Sequence, residues 1–209
     1  MNIIEKLQWR YATKKFDSNL YIPVEKLSTI KEAFNLTATS FGLQPIKLVI
    51  VKDKVLQARL VEHSMNQEQV EQASHVLVFC IETNINEDYI KTYFKRVKTI
   101  RNTPDEILKP FKDYLLDDFK DKPIKNIEDW AINQAYLAMG NLLTVCAIED
   151  IDSCPMEGFN PEKYNELLQL EKRGLSSVLV MPIGYRAKDD LFAEFKKVRK
   201  DLNESVFEL

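Results

Sequence analysis

Four cationic side chains stand at the two ends of this chain, Arg10 and Lys14 near the start and Lys197 and Arg199 near the close. Guanidinium forks and ammonium groups of this kind suit a phosphate. Read alone, a Lys-x-Arg in a charged stretch is more often a solvated face, and so is a single arginine behind a short helix. Three other groups are small and polar. Thr37 to Pro45 places Thr39, Ser40 and Gly42 around Phe41, the pattern of a helix end running into a turn. Asn66 to Val70, with Gln69 inside it, reads as a polar helix start. Pro155-Met156-Glu157-Gly158-Phe159 reads as a turn. The five glycines form neither Gly-x-Gly-x-x-Gly, nor the phosphate loop, nor a Gly-x-Ser-x-Gly elbow. A nucleotide phosphate bound here must therefore be held by side-chain cations.

The elements that would carry these groups follow from periodicity. Ile3 to Arg10 reads as a helix with Ile3, Ile4 and Leu7 on one face. A second helix starts near Pro23, a residue suited to a first helical position, and runs to about Leu36. Lys47 to Val51 reads as a strand. His75 to Ile81 is nearly continuous in apolar residues, the mark of a strand buried on both faces. Ser176 to Ile183 is similar, with Pro182 expected near its end or on an edge. Glu87 to Ile100, Pro104 to Phe119 and Ile127 to Glu149 read as helices, and Asn160-Pro161 as an N-capped helix start. The tail from Ser205 to Leu209 has no local partner and either pairs with another subunit or frays. The pattern is one α+β domain over 1–209, with a helical excursion at about 84–125.

Composition narrows the function classes. A net charge of -3 exerts no general pull on nucleic acid or anionic membranes, so any basic site must be local. Trp130 to Ile148 carries no formal charge and is about long enough to span a bilayer. It contains Asn133, Gln134 and Asn141, and reads as the buried central helix of a soluble domain. The N-terminus has no signal-peptide hydrophobic region. Cys80, Cys146 and Cys154 are odd in number and lie in apolar surroundings, which suggests reduced thiols in the cytoplasm. With His63 and His75 as the two histidines, a zinc cage is not expected.

Taken together and in this order, Arg10-Tyr11-Ala12-Thr13-Lys14-Lys15-Phe16-Asp17, Pro155-Met156-Glu157-Gly158-Phe159 and Lys197-Val198-Arg199 resemble the FMN-dependent nitroreductase family. Within that family the chain resembles the bacterial oxygen-insensitive NAD(P)H nitroreductases. The resemblance runs from Met1 to Phe207 and takes in Ala73-Ser74-His75-Val76, then Trp130, Gln134, Tyr136-Leu137 and Gly140-Asn141. It implies a mixed sheet flanked by helices, in an intertwined homodimer with two FMN sites at the interface. Arg10, Lys14, Lys197 and Arg199 would hold the FMN phosphate and ribityl chain, with Tyr11 and Ala12 alongside. Ala12 stands where the family has serine, a lost donor worth about 0.5–1.5 kcal/mol, so FMN retention should be weaker.

By the same resemblance, Thr39, Ser40 and Gly42 would reach the flavin of the other subunit, and Phe41 beside the ring would narrow the substrate pocket. Asn66 would bond the pyrimidine edge. Gln69 stands where lysine is common, which implies a lower flavin potential. Pro155, Met156, Glu157 and Gly158 would lie against the isoalloxazine, with the Glu157 backbone N–H facing flavin N5 and the glycine permitting close approach. The excursion would cover the flavin, one of its aromatic residues stacking on substrate. The implied activity is two-electron reduction of nitroaromatics, quinones or similar acceptors by NAD(P)H, in a ping-pong cycle at the flavin. One rival is a flavin-binding or sensing protein with poor turnover, for which Ala12 and Gln69 argue. Another is a domain that keeps the fold without FMN.

Overall fold

The computed structural model describes residues 2–209, so Met1 lies outside it. Strands β1 (Ile46–Val51), β2 (His75–Glu82), β3 (Asp152–Ser153) and β4 (Leu175–Gly184) form one sheet in the order β1-β2-β4-β3. Every ladder is antiparallel. This differs from the mixed sheet the resemblance implies; parallel pairing is confined to one isolated bridge, Ala12 with Ser153. The reason is in the connections. Val51 ends β1 opposite Val76, so that connection returns to the sheet end it left; the connection from β2 to β3 crosses to the other end, where Asp152 enters opposite Gly184, but β4 lies between those two strands and separates them.

The helices are α1 (Ile3–Trp9), α2 (Val24–Asn35), α3 (Lys54–Val61), α4 (Gln69–Gln72), α5 (Glu87–Arg101), α6 (Asp105–Lys120), α7 (Ile124–Ile148), α8 (Pro161–Leu167) and α9 (Leu202–Ser205). Strand β2 sorts them into two layers. Leu77, Phe79 and Ile81 face one core with α2, α5, α6 and α7, while Val76, Val78 and Cys80 face the other, which holds Leu60, Val70 and Tyr164 of α3, α4 and α8. That alternation is the period of two of a pleated strand. In β4, Leu175 and Val180 share a face although five residues separate them. A bulge explains it: Phe79 pairs with Leu179 and Cys80 with Ser177, so Val178 is the extra residue and parity flips there. Pro182 is internal to the sheet but close to the end of β4, as expected, and its carbonyl accepts from Cys154 N–H (3.0 Å).

Helix α7 is long and apolar enough to cross a membrane, yet Ala131, Ala135, Ala138, Leu142 and Cys146 lie buried in the core. It is the central helix of the fold, and its opposite side leaves Tyr136 and Leu137 exposed. Asn160 caps α8 by accepting from Lys163 N–H (3.0 Å), as the Asn-Pro pair predicts. The tail residues beyond α9 are exposed.

Candidate functional site

After α1 the chain runs extended, pinned by the Ala12–Ser153 bridge and by Phe16, which is buried and bridged to Arg186. One carboxylate fastens this arm. Asp190 accepts from Tyr11 Oη (2.8 Å), Lys14 N–H (3.0 Å) and Lys15 N–H (3.2 Å), and caps the 3-10 turn Leu191–Glu194 through Phe192 N–H (3.1 Å). Burial opposes charge on Asp190, but these four bonds outweigh it and hold the carboxyl below its ordinary value. Beside it Arg186 Nε donates to the buried Asp152 (2.8 Å), and the guanidinium lies 4.4 Å from the Trp9 ring and 4.6 Å from that of Tyr11. The turn capped by Asp190 leads directly to Lys197, whose ammonium donates to the Arg10 carbonyl.

The two chain ends therefore meet, and what they bring together is like charge. Burial, then Arg199, holds the Arg10 guanidinium below its ordinary value. Lys197 is exposed as a residue, but its ammonium is drawn against the Arg10 carbonyl. Desolvation there, then Arg10, Arg199 and Arg186, lowers it. Among the described residues none of Arg10, Lys197 and Arg199 has a carboxylate partner, and Arg10 Nε is buried without a hydrogen bond. A bound anion would relieve both conditions.

The turn after β3 lies next to this cluster. Lys14 Nζ and Gln69 Nε2 approach Cys154 Sγ to 4.0 and 3.9 Å, so segments 10–17, 66–69 and 154–158 converge. Burial pushes the Cys154 thiol up, against the pull of Lys14. Met156 forms a two-way bridge with Val180, donating over 2.8 Å and accepting over 3.1 Å. That bridge decides the next donor. In a trans peptide C=O and N–H point opposite ways. The Met156 carbonyl aims at β4, so the Glu157 N–H aims away from the sheet, and it has no acceptor among the described residues. Gly158 is closely approached: a Cβ there would stand 3.0 Å from Met65 Sδ and 3.4 Å from Gln67 Nε2, so both side-chain ends would have to give. Met65 and Asn66 are both left-handed, at φ 54° and 55°, and turn the chain under Gly158. Gln69 is buried, donating to Gln67 Oε1 (2.8 Å).

Thr39, Ser40, Phe41 and Gly42 lie elsewhere. Ser40 N–H donates to the buried Gln134 of α7 (2.8 Å), and Gln44 N–H to Thr39 Oγ1 (3.0 Å). Phe41, at φ 57°, packs its ring 6.4, 6.4 and 6.3 Å from those of Phe111, Phe119 and Trp130. No hydrogen bond or aromatic contact joins this turn to the cation cluster or the Glu157 turn among the described residues. Asp190, Asp152, Arg186, Gln67 and Tyr136 are site residues that sequence reasoning missed. Asp190 had a signal as a capping residue before a short apolar turn; the others are placed by pairings distant in sequence.

The nitroreductase family model matches residues 7–185. A Staphylococcus epidermidis protein provisionally named an NAD(P)H nitroreductase is 31% identical over 214 residues, covering 96% of this chain and 94% of its own length. A Bacillus subtilis crystal structure, provisionally named a nitroreductase, superposes with a TM-score of 0.87 at 21% identity, covering 99% of this chain and 98% of its own. A second, from Exiguobacterium sibiricum and crystallised in complex with FMN, gives 0.83 at 21% identity, with 100% and 98% covered. The two superpositions establish the fold, and the sequence matches establish the lineage: this chain belongs to the nitroreductase family.

Proposed function

We propose that this chain is an FMN-dependent oxidoreductase that uses NAD(P)H to reduce nitroaromatics, quinones or similar acceptors by two electrons in a ping-pong cycle. The observation that carries the reading is the cluster of Arg10, Lys197 and Arg199, mutually repelling and without carboxylate partners among the described residues. In a chain of net charge -3, such a cluster fits a phosphate. The donor set fits FMN in detail. The cations match the phosphate, Asn66 and Gln69 the polar edge of the ring system, and the outward N–H of Glu157 a ring nitrogen.

When bound, FMN supplies the redox chemistry, taking a hydride from NAD(P)H and giving it to the acceptor. The chain's own residues bind and orient. Asp190 holds the Tyr11–Lys15 arm against the segment that carries Lys197. Val180 holds Met156, so the Glu157 N–H faces away from the sheet. Glu157 acts through its backbone, and its carboxylate needs no role as an acid.

A homodimer belongs to this proposal. The Thr39–Gly42 turn sits apart from the cation cluster within one chain, so a site using both draws the turn from a second copy. The exposed apolar residues Ile4, Leu7, Leu137, Val198, Val206 and Phe207 offer surface for that pairing. Three buried free cysteines fit a reducing compartment, the cytoplasm.

The test is an absorption spectrum of the purified protein, then anaerobic NADPH. About one FMN per chain, bleached by NADPH and restored by a nitrofuran, supports the enzyme. Bound flavin that resists NADPH favours a sensor. A protein that takes up no FMN sinks the reading.

A further inference from the structure

The Glu157–Gly158 turn is a two-residue span between firm anchors. On one side Met156 is bridged both ways to Val180. On the other, Phe159 is buried with its ring 4.8 Å from Tyr164, and Asn160 N–H donates to the His63 carbonyl (2.8 Å). Phe159 N–H closes the turn on the Glu157 carbonyl (2.9 Å). Neither Glu157 nor Gly158 donates its own N–H to an acceptor among the described residues. The Met156–Val180 bridge sets the side to which the Glu157 N–H points, and the fine setting of the turn beyond it is left to two side chains that reach it from different elements. Tyr136, on the exposed side of α7, donates its hydroxyl to the Glu157 carboxylate (2.9 Å). Gln67 donates to the Gly158 carbonyl (3.2 Å) and is itself held by Gln69 (2.8 Å).

We propose that Tyr136 and Gln67 are positioning residues that clamp this turn and thereby set the angle at which the Glu157 N–H meets the flavin ring, an inference that rests on the FMN reading of the site. The physical case is one of alignment against stability. Tyr136 and Glu157 are both exposed, and a solvent-facing hydrogen bond adds little to folding. A hydrogen bond to a ring atom, by contrast, prefers an angle above about 150° and weakens steeply below about 120°. A contact that contributes little to holding the protein together can therefore govern what the turn does. The glutamine relay also gives Gln69 a task within the protein: its amide braces Gln67, and through it the turn.

The experiment compares wild type with Tyr136→Phe, Gln67→Leu, Glu157→Gln, Glu157→Ala and the double variant Tyr136→Phe/Glu157→Ala. It has one readout on the flavin-free protein and two on the flavin-loaded protein. In the flavin-free protein, hydrogen exchange at the Phe159 amide reports the turn directly. It should quicken in Tyr136→Phe with Tm unchanged, and in Gln67→Leu by more than the fall in Tm accounts for, since that variant also takes the acceptor from the buried Gln69 amide. In the loaded protein the flavin midpoint potential should shift, and kcat for NADPH oxidation should fall by about tenfold, with KM for the acceptor held. Glu157→Gln keeps an oxygen for the Tyr136 hydroxyl, so its Phe159 exchange should lie closer to wild type than that of Glu157→Ala. Glu157→Ala should match Tyr136→Phe, and the double variant should be no worse than either, because all three remove one interaction. Wild-type exchange, potential and kcat in both Tyr136→Phe and Gln67→Leu would overturn the clamp, as would Glu157→Gln damaged as badly as Glu157→Ala. If wild type takes up no FMN, the function reading fails, while Phe159 exchange still judges whether the two side chains hold the turn.

Discussion

At the scale of single residues, the site is defined by groups whose needs the protein leaves unmet. Arg10 Nε is buried and unpartnered, and the Glu157 N–H is turned away from the sheet by its own peptide plane. Ala12 is the clearest departure from the family pattern that this chain resembles. It bridges to Ser153, whose buried hydroxyl has no hydrogen bond. Ala12→Ser should restore a donor and tighten FMN by about 2- to 12-fold, measured as the dissociation rate of bound flavin. Unchanged or faster release would show that the arm does not lie along the cofactor. His75 carries a pH signature. Ser74 Oγ accepts from Ile22 N–H and shares a 2.9 Å hydrogen bond with His75 Nδ1. Burial first, then Lys54, Lys31 and Lys52, lowers the imidazole below its ordinary 6.5. The unfolded chain then binds the proton more readily, so stability is full above the unfolded value and is lost as pH falls below it. Urea unfolding at pH 7.5 and 5.5 should show a larger loss for wild type than for His75→Gln. Equal losses would refute the assignment.

At the scale of elements, legibility followed burial. β2 was readable as a continuous apolar run because the core covers both its faces, and α7 as a long uncharged apolar stretch because it runs through the core. α3 was not read: Leu56, Gln57, Leu60 and Val61 fall at helical spacing, but the stripe is short and Gln57 interrupts its apolar pattern. Its cap, Asp53 accepting from Leu56 N–H (2.7 Å), was a second signal. β3 is two residues long and exists through its pairing with β4, which no local pattern announces. The site divides the same way. Segments 10–17, 66–69, 154–158 and 197–199 could be named from motifs. The bracing roles of Tyr136, Gln67 and Asp190 could not be read, because each acts on a partner distant in the chain or through a turn with no periodicity. The turn at Thr39–Gly42 hangs from Gln134. Gln134→Leu would leave Ser40 N–H without its acceptor, and should cost about 1–3 kcal/mol, or roughly 3–10 °C in Tm at this chain length. A wild-type Tm in thermal unfolding would show that the turn is held by its aromatic packing alone.

At the scale of the whole molecule, the fold joins its own ends. Lys197 reaches the carbonyl of Arg10 across 187 residues of sequence, through a 3-10 turn that Asp190 caps while it grips the N-terminal arm. The tail that follows is exposed and rich in apolar residues, among them Val198, Leu202, Val206 and Phe207. Ending the chain after Phe195 should abolish both FMN retention and dimerisation. The pair Lys197→Ala/Arg199→Ala should lose FMN but keep a particle of twice the 24.4 kDa chain mass in sedimentation. A truncated protein that still dimerises would remove the tail from the interface. The central claim, that cations from both ends of the chain converge on one phosphate, is tested most directly by titrating flavin-free protein with FMN and with riboflavin. Flavin fluorescence serves as the readout, since the two ligands differ only in that phosphate. Affinity for FMN should exceed that for riboflavin by at least about 30-fold and should fall towards it in Arg10→Ala. Equal affinities would contradict the account.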